Sequence, residues 1–181
     1  TLSGSNSDRF QYVLPSYDFS KNFSLNNIDG SFNLSSYGNN TLTDTNVVTS
    51  SVSNDLIYSA LSKFFDNGIK TNLEIALKNI NTVGKNNPIY KNTTQSEIMS
   101  AYTYNASLPL IKKNSTTFNT LEPKLSLRFS PHEMKNNSNE SRRIDLSNIF
   151  SSNRLSLGNS FESGESITLG LNFKKEKVNV D

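Results

Sequence analysis

One stretch of this chain alternates apolar and charged side chains so strictly that it constrains the fold more than any other feature. From Leu121 to Phe129 the odd positions are apolar, and the even positions are Glu122, Lys124, Ser126 and Arg128. Successive side chains of a β-strand point to opposite faces of the sheet, so a period of two predicts a strand with one apolar and one charged face. Pro123 has no N–H to donate, and we expect a local bulge or bend there.

The same alternation recurs along the chain and predicts seven strands, at about 9–19, 31–37, 46–58, 68–81, 97–110, 116–130 and 165–175. Residues that accept tight turns separate them, at Asn27–Gly30, Gly38–Asn40, Asp66–Gly68 and Gly84–Pro88. A long polar loop is expected at 131–153. Residues 55–65 also fit a short amphipathic helix, but the neighbouring strands favour a strand there.

Composition decides which alternating fold is the better interpretation. Only 34% of the residues are hydrophobic, yet the chain has 11 Phe and 7 Tyr. A soluble sandwich also alternates, with its apolar face in the core. The low apolar content, the long strands and the charges at mid-strand favour a wall whose apolar face meets lipid and whose polar face meets a lumen. The sequence therefore predicts an all-β, antiparallel meander forming an arc of a transmembrane outer-membrane β-barrel.

Charge and cysteine content exclude several other classes. The net charge is +2 and the lysines are interleaved with acidic residues, so no nucleic acid is expected as a partner. The chain has no cysteine, which excludes disulfides and thiolate metal sites. No run approaches the roughly 18 apolar residues of a membrane helix. We expect no metal and no cofactor.

Several motifs follow one another in a fixed order and carry a family resemblance. The segment Leu121–Pro131 contains the Glu-Pro strand with Leu121 and Pro123, and after a polar loop come Asn148, Phe150 and Arg154. A Glu-Gly step with Glu162 and Gly164 precedes the strand Ile167–Phe173, and Arg9–Pro15 and Leu108–Leu110 lie upstream. In this order and spacing, from about Arg9 to Lys174, the chain resembles the C-terminal barrel region of the lipopolysaccharide-assembly outer-membrane proteins of the LptD family (OstA/Imp), alphaproteobacterial type.

The resemblance implies a location and a role. Residues 1–181 would be part of an LptD-like transmembrane β-barrel domain in the cell outer membrane, without the strands that form the family's lateral gate. Such a barrel receives lipopolysaccharide from periplasmic Lpt bridge proteins, holds an LptE-like plug lipoprotein, and inserts lipopolysaccharide into the outer leaflet. This is a transport role and not an enzyme activity. The alternatives are a porin-like outer-membrane channel and a secreted all-β binding or adhesin domain.

Candidate functional residues follow from the charged strand faces. We expect Glu74, Glu122, Lys124 and Arg128 to face the lumen, either along the substrate path or as a salt-bridge network that holds the wall. His132, the only histidine, allows a Ser/His hydrolase, although an exposed loop histidine is the favoured interpretation. Glu162 and Glu165 allow an acid–base pair or a divalent-cation site, although two carboxylates in a solvated loop are the favoured interpretation. Aromatic residues near strand ends are candidates for an interfacial girdle: Phe19, Phe118, Phe129 and Phe173.

Overall fold

The computed structural model describes residues 12–43, 46–114, 116–133 and 143–177. Within these ranges the chain forms nine strands: β1 (Tyr12–Leu25), β2 (Ile28–Thr43), β3 (Val47–Ala60), β4 (Lys63–Phe64), β5 (Lys70–Lys85), β6 (Gln95–Ser107), β7 (Leu110–Lys113), β8 (Thr117–Ser130) and β9 (Gly164–Lys177). All pairings are antiparallel, and the described residues contain no helix. The all-β antiparallel meander predicted from the alternation is confirmed.

The strands form one open sheet. Its order is β1-β2-β3-β5-β6-β8-β9, while β4 and β7 are short pieces that pair with β5 and β8. Among the described strands, β1 pairs only with β2 and β9 pairs only with β8. The sheet therefore has two edges whose backbone groups are available for further pairing.

Pro123 interrupts the ladder on one side of β8, but it causes no bulge. Pairing with β6 ends at Ser107↔Lys124 and resumes with β7 at Leu110↔Leu121, in unchanged register. On the other side, pairing between β8 and β9 continues through Pro123↔Leu171. In the gap, the N–H of Leu108 donates to the carbonyl of Pro123 at 3.1 Å. The missing N–H of proline thus costs ladder bonds without shifting the strands.

The turn predicted at Gly38–Asn40 is wrong, because these residues lie inside β2. Tertiary contacts explain the difference. The ring of Tyr17 packs over Gly38, where an added Cβ would have to displace the ring. The amide oxygen of Asn39 accepts a hydrogen bond of 2.7 Å from the Ser51 hydroxyl on β3. Residues with turn chemistry therefore serve here as cross-strand contacts.

Other predicted boundaries shift by a few residues. The turn predicted at 27–30 consists of Asn26 and Asn27, and β2 begins at Ile28. The turn at 66–68 is confirmed: the Phe65 N–H donates to the Ile69 carbonyl at 2.9 Å, and Gly68 adopts a φ of 82°. Residues 55–60 belong to β3, so the strand interpretation of 55–65 was right there. Residues 9–11 of the first predicted strand and 134–142 of the loop lie outside the described residues.

The two faces of the sheet differ sharply in chemistry. The apolar face carries the odd positions of β1, β5, β8 and β9 and the even positions of β2, β3 and β6. The polar face carries the alternate positions, and residues 143–163, which we call the covering loop, pack against it. The buried hydrophobic cluster lies between this loop and the sheet: Ala76, Ile80, Met99, Ala101 and Phe161. In the part of the chain that is described, no helix is long and apolar enough to cross a membrane.

Candidate functional site

The structure places all four predicted lumen-facing residues on the polar face. Glu74 on β5 is in register with Thr103 on β6, and Thr103 is in register with Arg128 on β8. Glu122 and Lys124 lie further along β8 on the same face, where their side chains form an ion pair of 3.2 Å. The four residues therefore form two groups, one beneath the covering loop and one beyond it.

Arg128 anchors the covering loop. Its Nε donates to the carbonyl of Ser152 at 2.8 Å, and its Nη2 donates to the carbonyl of Glu162 at 2.5 Å. Arg128 is only 4% exposed, so these bonds replace most of the hydration of the guanidinium. Nearby, the Ser152 hydroxyl donates to the Glu74 carboxylate. Both predicted residues of this group thus bind the loop at Ser152.

A bidentate ion pair stiffens the covering loop itself. Arg154 donates from Nε and Nη2 to the two carboxylate oxygens of Glu162, at 2.9 and 2.6 Å. Arg154 is 8% exposed, which protects the pair from solvent screening. Glu165 lies on β9, in register with Phe129 on the apolar face, so it is not positioned to act with Glu162 as an acid–base pair.

A second cation holds the loop from β5. The Lys78 ammonium donates to Asp55 on β3 at 2.6 and 2.8 Å, and to the carbonyl of Gly158 at 3.2 Å. It also lies 5.4 Å from the centre of the Phe161 ring. Lys78 is 2% exposed, so its buried charge has to be stabilised by these partners.

His132 is half-buried and takes part in the same attachment, which corrects the prediction of an exposed loop histidine. Its Nε2 lies 2.7 Å from the Phe161 carbonyl, and its Nδ1 lies 3.1 Å from the Ser130 hydroxyl. Ser130 is 1% exposed and its hydroxyl also donates to the carbonyl of Ser100. Both ring nitrogens are therefore engaged in holding the loop, and the hydroxyl beside the ring is closed to solvent.

In the register row that contains Arg128, several hydrogen-bonding groups are not used by the covering loop. Thr103, Arg128 and Ser166 are in register on β6, β8 and β9. Each has a buried polar atom without a hydrogen-bond partner among the described residues: Oγ1 of Thr103, Nη1 of Arg128 and Oγ of Ser166. An unmade hydrogen bond of this kind costs about 1–3 kcal/mol. The polar face is thus not optimised for stability at this row.

A cavity opens beside the Glu122–Lys124 group. It has a volume of about 460 Å³ and lies between β5, β6 and β8 and the first turn of the covering loop. Its lining mixes polar and apolar groups, including Lys70, Asn105, Lys124, Leu146 and Phe150. The covering loop therefore fills only part of the polar face.

The remaining motif residues have structural positions. Leu121 and Pro123 lie on the apolar face of β8. Asn148 closes the turn that begins the covering loop: it accepts from the Asp145 N–H at 2.9 Å and donates to the Arg143 carbonyl at 2.8 Å. In the same turn, a hydrogen bond from the Ser147 hydroxyl lowers the pKa of Asp145.

Two glycines fix the ends of this arrangement. The Phe150 ring packs over Gly170 on β9, where an added Cβ would lie 2.5 Å from the ring carbon Cζ. Gly164 begins β9 with a φ of 96°, a conformation that other residues rarely adopt. The motif residues thus form and seat the covering loop.

Sequence reasoning missed the pair of Lys78 and Asp55, in which Lys78 anchors the covering loop and Asp55 holds Lys78. Their positions within alternating segments placed them on the polar face, but their pairing depends on the register of β3 against β5.

Among the described residues, no cluster of three or more His, Asp or Glu is arranged to hold a metal ion. Phe118, proposed for an aromatic girdle, lies on the polar face in register with Glu176, unlike Phe129 and Phe173.

No protein-family model, no curated protein and no solved structure matches this chain.

Proposed function

We propose that this chain is part of the wall of an outer-membrane β-barrel, with its apolar face against lipid and its polar face towards the lumen. We further propose that the barrel transports lipopolysaccharide and assembles it into the outer leaflet. The observation that carries the first proposal is an exposed apolar band that crosses the sheet at a slant. The second rests on the family resemblance.

The apolar band leaves large apolar side chains accessible across the sheet, most of all on the edge strand β9. On β9 its side chains are 65–78% exposed: Ile167, Leu169, Leu171 and Phe173. On β8 it runs from Leu121 to Phe129, which is nine residues and matches the roughly 9–11 residues with which a tilted strand crosses a bilayer. Contiguous apolar surface of this kind marks a membrane or protein contact.

The slant of the band matches the strand tilt of a barrel. Five residues in mutual register give a reference row across the sheet: Tyr58, Ile75, Tyr102, Phe129 and Glu165. On β3 the band centres on Leu56 and Tyr58, whereas on β9 it spans Ile167–Phe173, entirely on one side of the row. The band therefore drifts by about six residues, or about 20 Å, over four strand spacings that cover about 19 Å.

If the band lies in the plane of the membrane, this drift means that the strands are tilted by about 45° from the membrane normal. Strands of transmembrane barrels tilt by about 35–45° from the barrel axis. A band that follows the plane of a membrane has to cross the register rows obliquely when the strands are tilted.

The polar face has the features expected of a lumen. It carries charged residues at mid-strand, such as Glu74, Lys78 and Arg128, and a loop that folds over it. The wall also needs neighbours, because unpaired backbone groups are not tolerated at membrane depth. The proposal therefore requires that the outer edges of β1 and β9 be paired in the membrane, with each other or with further strands.

The lipopolysaccharide role is supported by the order of the motifs and by their contacts. Arg154 and Glu162 come from two separate motifs of the resemblance and bind each other in the covering loop. Lys124 lines the cavity that this loop leaves open, where the glycan part of lipopolysaccharide would pass. By the same resemblance, an LptE-like plug lipoprotein and periplasmic Lpt bridge proteins are the proposed partners.

Cysteine labelling in the full-length protein tests the wall. Cysteine at Leu127 or Leu169 is expected to react with a lipid-soluble probe in outer-membrane vesicles, and cysteine at Lys124 only with a water-soluble one. Lipid-soluble labelling that fails at Leu127 and Leu169 would overturn the membrane proposal and favour a secreted binding or adhesin domain.

Depletion of the full-length protein in its own organism tests the substrate. Surface lipopolysaccharide is expected to fall while lipopolysaccharide accumulates inside the cell. Unchanged surface lipopolysaccharide, together with altered uptake of small solutes, would refute the transport role and favour a porin-like channel.

A further inference from the structure

A row of amide and hydroxyl side chains crosses the apolar face. It runs over five strands, from β1 to β6, and we call it the amide row: Tyr17, Ser36, Asn54, Asn79, Asn81 and Ser96. The residues are joined by hydrogen bonds of 2.6–3.3 Å, which run Tyr17–Ser36–Asn54–Asn79, with Asn81 and Ser96 both bonded to Asn79. The row is a continuous network and not a set of scattered polar residues.

The amide row lies directly beside the apolar band. Leu34, Leu56 and Leu77 are in register with one another, and the next position along this face on each strand is Ser36, Asn54 or Asn79. The chemistry thus changes from leucine to amide within one pleat, about 6.6 Å along the strand.

Between β5 and β9 the boundary between apolar and polar side chains is slanted like the band itself. On β9 the boundary falls between Ile167 and Glu165, and Glu165 lies in the reference row. On β5 the first polar residue, Asn79, lies two pleats away from that row. The apolar side chains in the same register row as Asn79 are Ile98 on β6, which is 76% exposed, and Phe19 on β1, which is 49% exposed. From β2 to β5 the boundary follows one register row, and from β5 to β9 it drifts in the same direction as the band.

Amide groups are costly in hydrocarbon unless their hydrogen bonds are made. Asn79 makes several: its oxygen accepts from Asn54 and Asn81, and its Nδ2 donates to Ser96 and to the Glu97 carbonyl. The row is half-exposed, however, and Asn and Ser side chains that face outward require polar neighbours. The headgroup layer supplies phosphates, sugars and water at the level where the acyl chains end.

The position of the row also assigns a side of the membrane. It lies towards the end of the strands that carries the longest connection, 131–163, together with 44–46 and 86–94. The other end carries the two-residue turn at Asn26–Asn27 and the connections 61–69 and 108–116. Outer-membrane barrels place long loops outside the cell and short turns in the periplasm.

We propose that the β5–β6 end of the amide row, which is Asn79, Asn81 and Ser96, lies in the polar headgroup layer of the outer leaflet and contacts the lipid headgroups there. The inference rests on the proposed membrane wall, and it adds the depth and orientation of the sheet. Each pleat of a strand tilted by about 45° spans about 5 Å of depth, so Asn79 lies about 5 Å closer to the membrane surface than Leu77.

A depth scan along one strand tests this. In the full-length protein, reconstituted in phosphatidylcholine vesicles, single cysteines at Leu73, Ile75, Leu77, Asn79 and Asn81 carry an environment-sensitive fluorophore. Quenchers sit either deep in the acyl chain or at the headgroup. Deep quenching is expected at the first three positions, and headgroup quenching at the last two.

Val52 provides a matched site that leaves the network intact. It is in register with Asn81 and takes no part in the hydrogen bonds of the row, so a label there is expected at headgroup depth. Thr82, on the polar face of β5, is the control that neither lipid quencher reaches.

The possible outcomes separate the inference from the proposed wall. If lipid quenchers reach none of the β5 positions, the membrane wall fails and the inference fails with it. If Leu77 is deep but Asn79 and Val52 are equally deep, or are shielded from lipid and water together, the wall stands and the headgroup assignment is overturned.

Discussion

Replacing Arg128 with methionine tests whether this residue works mainly as the anchor of the covering loop. Arg128 makes two charge-assisted hydrogen bonds to loop carbonyls, those of Ser152 and Glu162. Such bonds contribute about 1.5–3 kcal/mol each. Water will partly satisfy the freed carbonyls, so we expect the loop to lose about 3 kcal/mol of its attachment.

Hydrogen exchange measures this loss locally. A loss of about 3 kcal/mol corresponds to about 100-fold faster exchange through local opening, since each 1.4 kcal/mol is tenfold. The amides of residues 150–162 in the full-length protein should show it, while those of β5 and β6 should change little. The matched control is Lys124→Met, on the same face of β8, whose ion pair is with Glu122. We expect no change in loop exchange there, because a half-exposed pair contributes at most about 1 kcal/mol.

Unchanged loop exchange in Arg128→Met would refute the anchoring role. The guanidinium would then be better explained as a substrate contact on the polar face. Equal acceleration in Lys124→Met would show that any lost charge loosens the loop, and would equally contradict the geometry.

Three further predictions follow from the contacts described. Lys78→Met leaves Asp55 without its cation and is expected to lower the free energy of unfolding by about 2 kcal/mol, measured by urea unfolding in detergent. Gly170→Ala places a Cβ against the Phe150 ring and should cost about 1–3 kcal/mol in the same assay, with new protease cleavage in the covering loop. Leu169→Arg is expected to cost about 2–4 kcal/mol when the protein is folded into lipid vesicles, if the apolar band faces lipid.

Each of these has a control. Asp55→Asn in the Lys78→Met background should recover part of the lost stability, because it removes the unpaired carboxylate. Phe150→Leu should relieve the clash in Gly170→Ala. Asn172→Arg, on the polar face of β9, should fold as well as the unaltered protein. A Leu169→Arg variant that folds equally well would argue against lipid contact at that position.

The alternation in the sequence was sufficient to predict the seven long strands and their two faces, but not the short strands β4 and β7. Between Leu121 and Phe129 every second side chain is apolar, and this period is a local property that backbone geometry turns directly into a face. Glu74, Glu122, Lys124 and Arg128 were placed on one face for the same reason. The Asp66–Gly68 turn was also predictable, because glycine is favoured where φ is positive.

Local signals failed where a residue serves a distant partner. Gly38–Asn40 reads as a turn, yet the Tyr17 ring and Ser51 hold these residues in β2. Lys21 breaks the alternation, and β1 nevertheless continues to Leu25 because it pairs with β2. Such continuations depend on the neighbouring strand and are not written in the segment itself.

What the sequence determined by itself was the class of sheet and the chemistry of each face, because both follow from a period of two along one strand. Tertiary structure decided the rest. The register of β3 against β5 brings Lys78 to Asp55, and the return of the chain over the polar face seats the covering loop on Arg128. The slant of the apolar band exists only across several strands, and so does the amide row. Each depends on which residues of neighbouring strands are in register, and no single segment contains that information.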